Sequence, residues 1–292
     1  MMMSGVFRFA VIGLILFCLH FTSYAQPATT TDSTIIASSN KALQRLASIQ
    51  QEVHELHPYL QKLYPVAVAE NELLYIFDID SISGDYRFQK KAPQPFPISR
   101  GVRAAFPLES YNWQSVCVVS PDAFEDLNGY LVIFHEFMHC AQARSCEYPL
   151  KQTLEINRIA MEKQDFSWEL NHPFPYQDSL FTAVYGQFSE SLAANDSAGV
   201  RQARRTLKKH LDPLDYEYLV WEEWKEGFAR LVENRLQAKY GIAQNHGGKE
   251  TPYNRVAFYY GGTKFIEYLT AGNRDLFFDN QALFERMRQF GD

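Results

Sequence analysis

Three observations predict an α+β fold. Short β-prone runs, separated by Gly, Pro and Asn breaks, occupy residues 73–79, 102–108 and 116–119. Helical periodicity fills most of the chain beyond residue 150. Between the two lies residues 131–141, an apolar stretch interrupted by His135, Glu136 and His139 alone among its strongly polar positions. Strands first and helices afterwards is the order of an α+β domain rather than of alternating β and α units.

The elements follow in chain order. Arg8, an apolar run over residues 9–21 and the small residues Ser23 and Ala25 read as a signal peptide of residues 1–25, cleaved after Ala25. Its apolar run is short for a membrane span. The expected destination is therefore the periplasm or the extracellular space, with no membrane span after cleavage. Phe17 before Cys18 is too large for a lipid-attachment site. Residues 26–40, rich in Thr, Ser and Ala without periodicity, are expected to be a flexible leader. One domain follows at 41–292, with its sheet-bearing part at about 66–149 and its helical part at about 150–292.

Leu43, Leu46, Ile49, Val53, Leu56, Leu60 and Leu63 place an apolar stripe on a helix ending near Pro65. His54 and His57 lie on or beside it and read as a partly exposed pair without a metal role, because no acid or cysteine clusters with them. After the strands, Ser120-Pro121-Asp122 supplies an N-cap, a first-turn proline and an early acid, and Gly129 divides this entry turn from the next helix. Further helices are expected at 150–164, 177–194, 198–210, 214–240, 255–271 and 281–290.

Composition narrows the function classes. The chain carries 28 basic and 34 acidic residues, a balance that offers no nucleic-acid surface. Cys117, Cys140 and Cys146 remain after processing, an odd number, and Cys140 with Cys146 is the pair placed to close a small disulfide loop.

The chemistry sits in His135-Glu136-Phe137-Met138-His139. Imidazoles four residues apart project from one helix face and reach a common metal, while Glu136, one step round, takes a proton from water without being a ligand itself. Cys140 adjoins His139 and points off that face. Two histidines and a glutamate on an apolar helix are costly to bury unless something coordinates or hydrogen-bonds them. A catalytic zinc site usually adds a third protein ligand and keeps one open position. Glu226 is the candidate: Glu226, Ala229 and Glu233 share one helical face, and small Ala229 one turn on, with Gly227 beside it, lets that helix approach the motif helix. Glu233 then serves to orient a ligand imidazole. Glu155 and Glu223 are rival ligands, and a solvated acidic face around Glu222, Glu223 and Arg230 is the plainer reading of Glu226.

At these residues the chain resembles the gluzincins, zinc peptidases with a histidine pair and a distant glutamate, in which a Glu-Gly-x-Ala segment such as Glu226 to Ala229 carries the third ligand. Metzincins are excluded by Gln142 and Ser145, where they carry a glycine and a third histidine or aspartate. An aspartate ligand in a Gly-Thr-x-Asp setting is excluded because Lys264 and Phe265 follow Gly262-Thr263. The resemblance implies a zincin-like fold, a small twisted sheet packed on the motif helix and followed by a mainly helical part. It also implies one catalytic Zn2+ and a peptide or protein substrate lying along an edge strand from the segment before Pro121. Tyr259, in Phe258-Tyr259-Tyr260-Gly261-Gly262, is similar to the tyrosine that stabilises the oxyanion in aminopeptidase-like members. Tyr260 and His172 are alternatives for that role, and His246 reads as a loop residue.

The expected function is thus an exported zinc-dependent metallohydrolase, a peptidase using Glu136 as general base. A non-catalytic zinc-peptidase-like binding module of the cell envelope and a structural helical protein with an accidental motif are the competing readings.

Overall fold

The computed structural model describes residues 30–291, so the expected signal peptide at 1–25 lies outside the described residues. The chain is α+β. Helix α1 (Thr30–Val53) leads into two 3-10 turns and then five strands: β1 (Val66–Glu70), β2 (Leu73–Ile79), β3 (Tyr86–Pro93), β4 (Arg103–Leu108) and β5 (Gln114–Val119). Helices α2 (Leu127–Ser145), α3 (Glu147–Lys151), α4 (Glu155–Glu162), α5 (Trp168–Asn171), α6 (Ser179–Ala193), α7 (Ser197–His210), α8 (Pro213–Lys239), α9 (Val256–Gly272), α10 (Asp275–Phe278) and α11 (Asn280–Arg288) follow.

The strands form one mixed sheet in the order β3-β2-β1-β5-β4, with β1 and β5 parallel and the other pairs antiparallel. Alternation along each strand divides the side chains between its two faces. Val66, Val68, Tyr75, Phe77, Cys117 and Val119 join the main core with the helices. Ala67, Ala69, Leu74, Ile76, Val116 and Val118 form a smaller apolar layer on the opposite face. Helix α2 packs against β4 and β5, so the motif helix lies beside the edge strand β4.

Several expectations change here. Residues 30–40, expected as leader, belong to α1, whose Asp32 accepts hydrogen bonds from Tyr75 Oη at 2.7 Å and Lys91 Nζ at 2.8 Å. Anchoring to the sheet overrides weak local periodicity. That helix also ends earlier than expected, at Val53, where 3-10 turns begin. Strands β1 and β3 are additional to the three expected; β1 follows Pro65 directly, and β3, at the sheet edge, is too polar to announce itself. The helix expected at 150–164 is two, α3 and α4. The cap of α2 is Asp126, which accepts from Gly129 N at 2.7 Å, while Pro121–Phe124 forms a separate 3-10 turn. Gly129 is required there because a Cβ would stand 2.4 Å from Ala123 O. Among the described residues Cys117, Cys140 and Cys146 are buried free thiols, so the Cys140–Cys146 bridge is not formed. Among the described residues no helix is long and apolar enough to cross a membrane.

Candidate metal centre

Helix α2 buries one polar strip, His135, Glu136 and His139, among Ile133, Phe134, Phe137 and Met138. The i, i+4 spacing sets the two imidazole centroids 5.0 Å apart. Helix α8 crosses α2 and delivers Glu226, whose Oε2 lies 3.5 Å from His135 Nε2 and 3.2 Å from His139 Nε2. One donor atom from each of the three buried side chains falls within 4.8 Å of the others. The remaining ring nitrogens are committed elsewhere. His135 Nδ1 meets Glu233 Oε2 at 2.9 Å and His139 Nδ1 meets Gln142 Oε1 at 3.1 Å. Because those partners accept, each Nδ1 carries a proton, and each Nε2 is the ring nitrogen turned to Glu226.

This arrangement fits a metal on its own chemistry. Two ring nitrogens and a carboxylate oxygen converge in a buried place, which is repulsive unless a cation or a proton sits between them. The same tension governs the pKa of His135. Burial opposes its charge, yet hydrogen bonds to Glu226 and Glu233 and the charge of Glu136 push it up to about 10. Glu226 is likewise resisted by burial but held well below the usual carboxylate range by His139, His135 and Arg255.

The supporting carboxylate is itself held at both oxygens. Arg230 Nε donates to Glu233 Oε2 at 3.1 Å, and Gln237 Nε2 and Asn245 Nδ2 each donate to Oε1 at 3.3 Å. Gln142, which carries His139, donates through Nε2 to Asn280 Oδ1 at 3.2 Å. Arg255 Nη2 donates to the second oxygen of Glu226, Oε1, at 2.7 Å, and its Nη1 donates to Tyr259 Oη at 2.8 Å. The Tyr259 ring lies nearly parallel to the His135 imidazole, 6.1 Å away. Burial and the nearby Glu226 carboxylate raise the Tyr259 phenol above its ordinary range, so it stays protonated and able to donate. Glu136 is buried beside both histidines; burial raises its pKa while the imidazoles and the Ala105 amide of β4 pull it down.

The sequence candidates are therefore sorted by position. His135, His139, Glu226, Glu233, Glu136 and Tyr259 are brought together. Glu155 is not: it lies at the surface and pairs with Arg158. Glu223 is fully buried but faces away to Arg204 and Tyr185. His172 is paired with Asp215 at 2.6 Å, and Tyr260 packs edge-on against His246. His57, expected to be partly exposed, is 1% exposed and bonds backbone at both nitrogens, accepting from Tyr59 N and meeting Phe277 O. Gly227 also serves another contact: a Cβ on it would stand 2.6 Å from Gly262, so it permits the close crossing of α8 and α9 rather than that of α8 and α2.

Sequence reasoning missed Gln142, Arg230, Asn245 and Arg255. Three of them had a usable signal, since Gln142 stands three residues after His139, Arg230 three before Glu233 and Arg255 four before Tyr259, all neighbour spacings on a helix. Asn245 reaches Glu233 from a loop and had none.

No family model matches the chain, no curated protein matches it in sequence, and no solved structure matches its fold.

Proposed function

We propose that the chain is an exported zinc-dependent hydrolase of the gluzincin type, with a zincin-like fold, acting on peptide bonds. The observation that carries this reading is the buried convergence of His135 Nε2, His139 Nε2 and Glu226 Oε2, each side chain braced from behind, with Glu136 on the same helix. Two imidazoles and one carboxylate are a donor set suited to zinc, and three protein ligands leave an open position. A zinc ion held there supplies Lewis-acid polarisation of a carbonyl and makes water a stronger acid.

The chain's own groups do the rest. Glu136 accepts a proton from the attacking water and returns it to the departing amine; its depleted solvation favours taking that proton. Tyr259, kept protonated and oriented by Arg255, donates to the oxyanion that develops on the substrate carbonyl. The edge strand β4 lies beside the motif helix and has a strand partner on one side only, a place for an extended peptide to lie.

Peptide hydrolysis by the parent and by Glu136→Gln tests the reading. The variant is expected to keep its zinc and lose roughly 10²–10⁴-fold in turnover, the range for a general base. Unchanged turnover in a zinc-loaded Glu136→Gln protein would remove Glu136 from the chemistry. A zinc-loaded parent inert toward a broad peptide library would favour a binding module instead.

A further inference from the structure

We infer that Arg255 is a positioning residue that fixes Glu226 as a one-oxygen ligand and locks it to the Tyr259 hydroxyl, an inference that rests on the metal-centre reading above. Arg255 stands immediately before α9, four residues ahead of Tyr259, and its side chain is 23% exposed. A guanidinium presents five N–H donors in a rigid planar fork, and here three separate directions of that fork are used. Nη2 donates to Glu226 Oε1 at 2.7 Å and Nη1 to Tyr259 Oη at 2.8 Å. Nε donates to the Glu169 carbonyl at 3.1 Å and also lies 2.7 Å from Glu222 Oε2, an ion pair without hydrogen-bond alignment.

A free carboxylate can turn either or both oxygens to a metal. With Oε1 taken by Arg255, only Oε2 remains to face the two imidazoles. That restriction preserves the open coordination position which a two-oxygen Glu226 would fill. The same guanidinium occupies a lone pair of the Tyr259 hydroxyl, so the phenol acts through its single proton, which the Glu226 carboxylate also attracts. Through the Glu169 carbonyl it also joins the segment around α5 to the site. Lysine offers its donors from a single point without the fork and cannot reproduce the Glu226, Tyr259 and Glu169 contacts together.

A simpler role would be to neutralise Glu222, whose buried carboxylate is 0% exposed. The two roles separate experimentally. Glu222→Gln removes the ion pair and leaves the Glu226 and Tyr259 bonds in place, whereas Arg255→Met removes all of them. Zinc affinity by competition with a chromogenic chelator, and the visible spectrum of the cobalt-substituted protein, are measured on the full chain for the parent, Arg255→Met, Arg255→Lys and Glu222→Gln. Arg255→Met is expected to weaken zinc binding by about 10- to 100-fold, the range for residues that orient a ligand, and to alter the cobalt bands. Arg255→Lys recovers only part of the affinity, and Glu222→Gln stays within about twofold of the parent because no group touching the ligands has changed. In peptide turnover Arg255→Met lowers kcat with little change in KM, as expected for a contact used mainly in the transition state.

Parent-like zinc affinity and cobalt bands in Arg255→Met would overturn the inference and leave the metal centre intact. An equal loss in Glu222→Gln would overturn it in favour of simple charge neutralisation. Should Arg255→Met prove unfolded by circular dichroism, Arg255→Lys carries the same criterion. A parent that binds no zinc removes the metal-centre reading itself, an outcome distinct from either.

Discussion

Of the four glutamates that helix α8 buries, Glu223 and Glu226 stand three residues apart, and the protein compensates these two in opposite ways. Glu223 is closed. Arg204 Nη1 donates to its Oε2 at 2.6 Å and Tyr185 Oη to its Oε1 at 2.9 Å, and both members of the ion pair have fully buried side chains. The Arg204 guanidinium lies among the rings of Phe188, Tyr216 and Phe265. Glu226 is half open: Arg255 satisfies one oxygen, while the other faces two imidazole nitrogens whose protons are engaged elsewhere. A buried charge can thus be answered by a fixed counter-charge, which leaves no room for a ligand, or by acceptors that wait for a cation. The contrast separates a structural acid from the proposed ligating one on a single helix.

The largest effect expected on the closed side comes from Arg204→Met. Removing one partner of a buried ion pair leaves the other uncompensated, at a cost of about 3–5 kcal/mol, measured as a lower urea midpoint. Zinc content should not change. Adding Glu223→Gln to that variant should recover part of the loss, since a buried charge is then no longer orphaned. A cost under about 1 kcal/mol would mean that the pair does little to hold α7 against α8.

His57 sharpens the comparison from a third direction, because it is buried as a neutral group. Its Nδ1 accepts from Tyr59 N at 3.1 Å, so Nε2 carries the proton toward Phe277 O at 2.9 Å. Burial, aided by Arg235 and opposed by the Phe277 carbonyl, lowers its pKa to about 4 from 6.5. A depressed folded-state pKa means that His57 contributes fully above about pH 6.5 and that this contribution is lost as pH falls toward 4. The linkage relation gives a loss of about 2 kcal/mol between pH 7 and pH 5. Urea unfolding at the two pH values, on the parent and on His57→Gln, isolates it. Parallel losses in both proteins would contradict the assignment.

How much of this was legible in the sequence follows from the range of the interactions. The i, i+4 histidines, the shared face of Glu226 and Glu233 and the helical half are local patterns, and local periodicity reports them well. That Glu226, and not Glu223 or Glu155, stands beside the two histidines was also readable, from the helical face it shares with Ala229 and Glu233. Less accessible were the contacts made by chain reversal. Nothing near Asn245 announces that its loop returns to Glu233, and nothing near Gly227 says that its close neighbour is Gly262 on α9 rather than the motif helix. Strand β3 was missed because its residues face solvent more than core, so the alternation that reveals a strand is diluted. The opposite failure occurred at residues 30–40, where a bland composition concealed a helix held by Asp32 against Tyr75 and Lys91.

Metal content of the purified protein, measured by inductively coupled plasma mass spectrometry beside Glu226→Gln and Glu223→Gln, sets the open carboxylate directly against the closed one. One zinc per chain is expected in the parent and in Glu223→Gln, and below about one tenth of that in Glu226→Gln. A zinc-free parent, or equal zinc in Glu226→Gln and the parent, would contradict the metal centre.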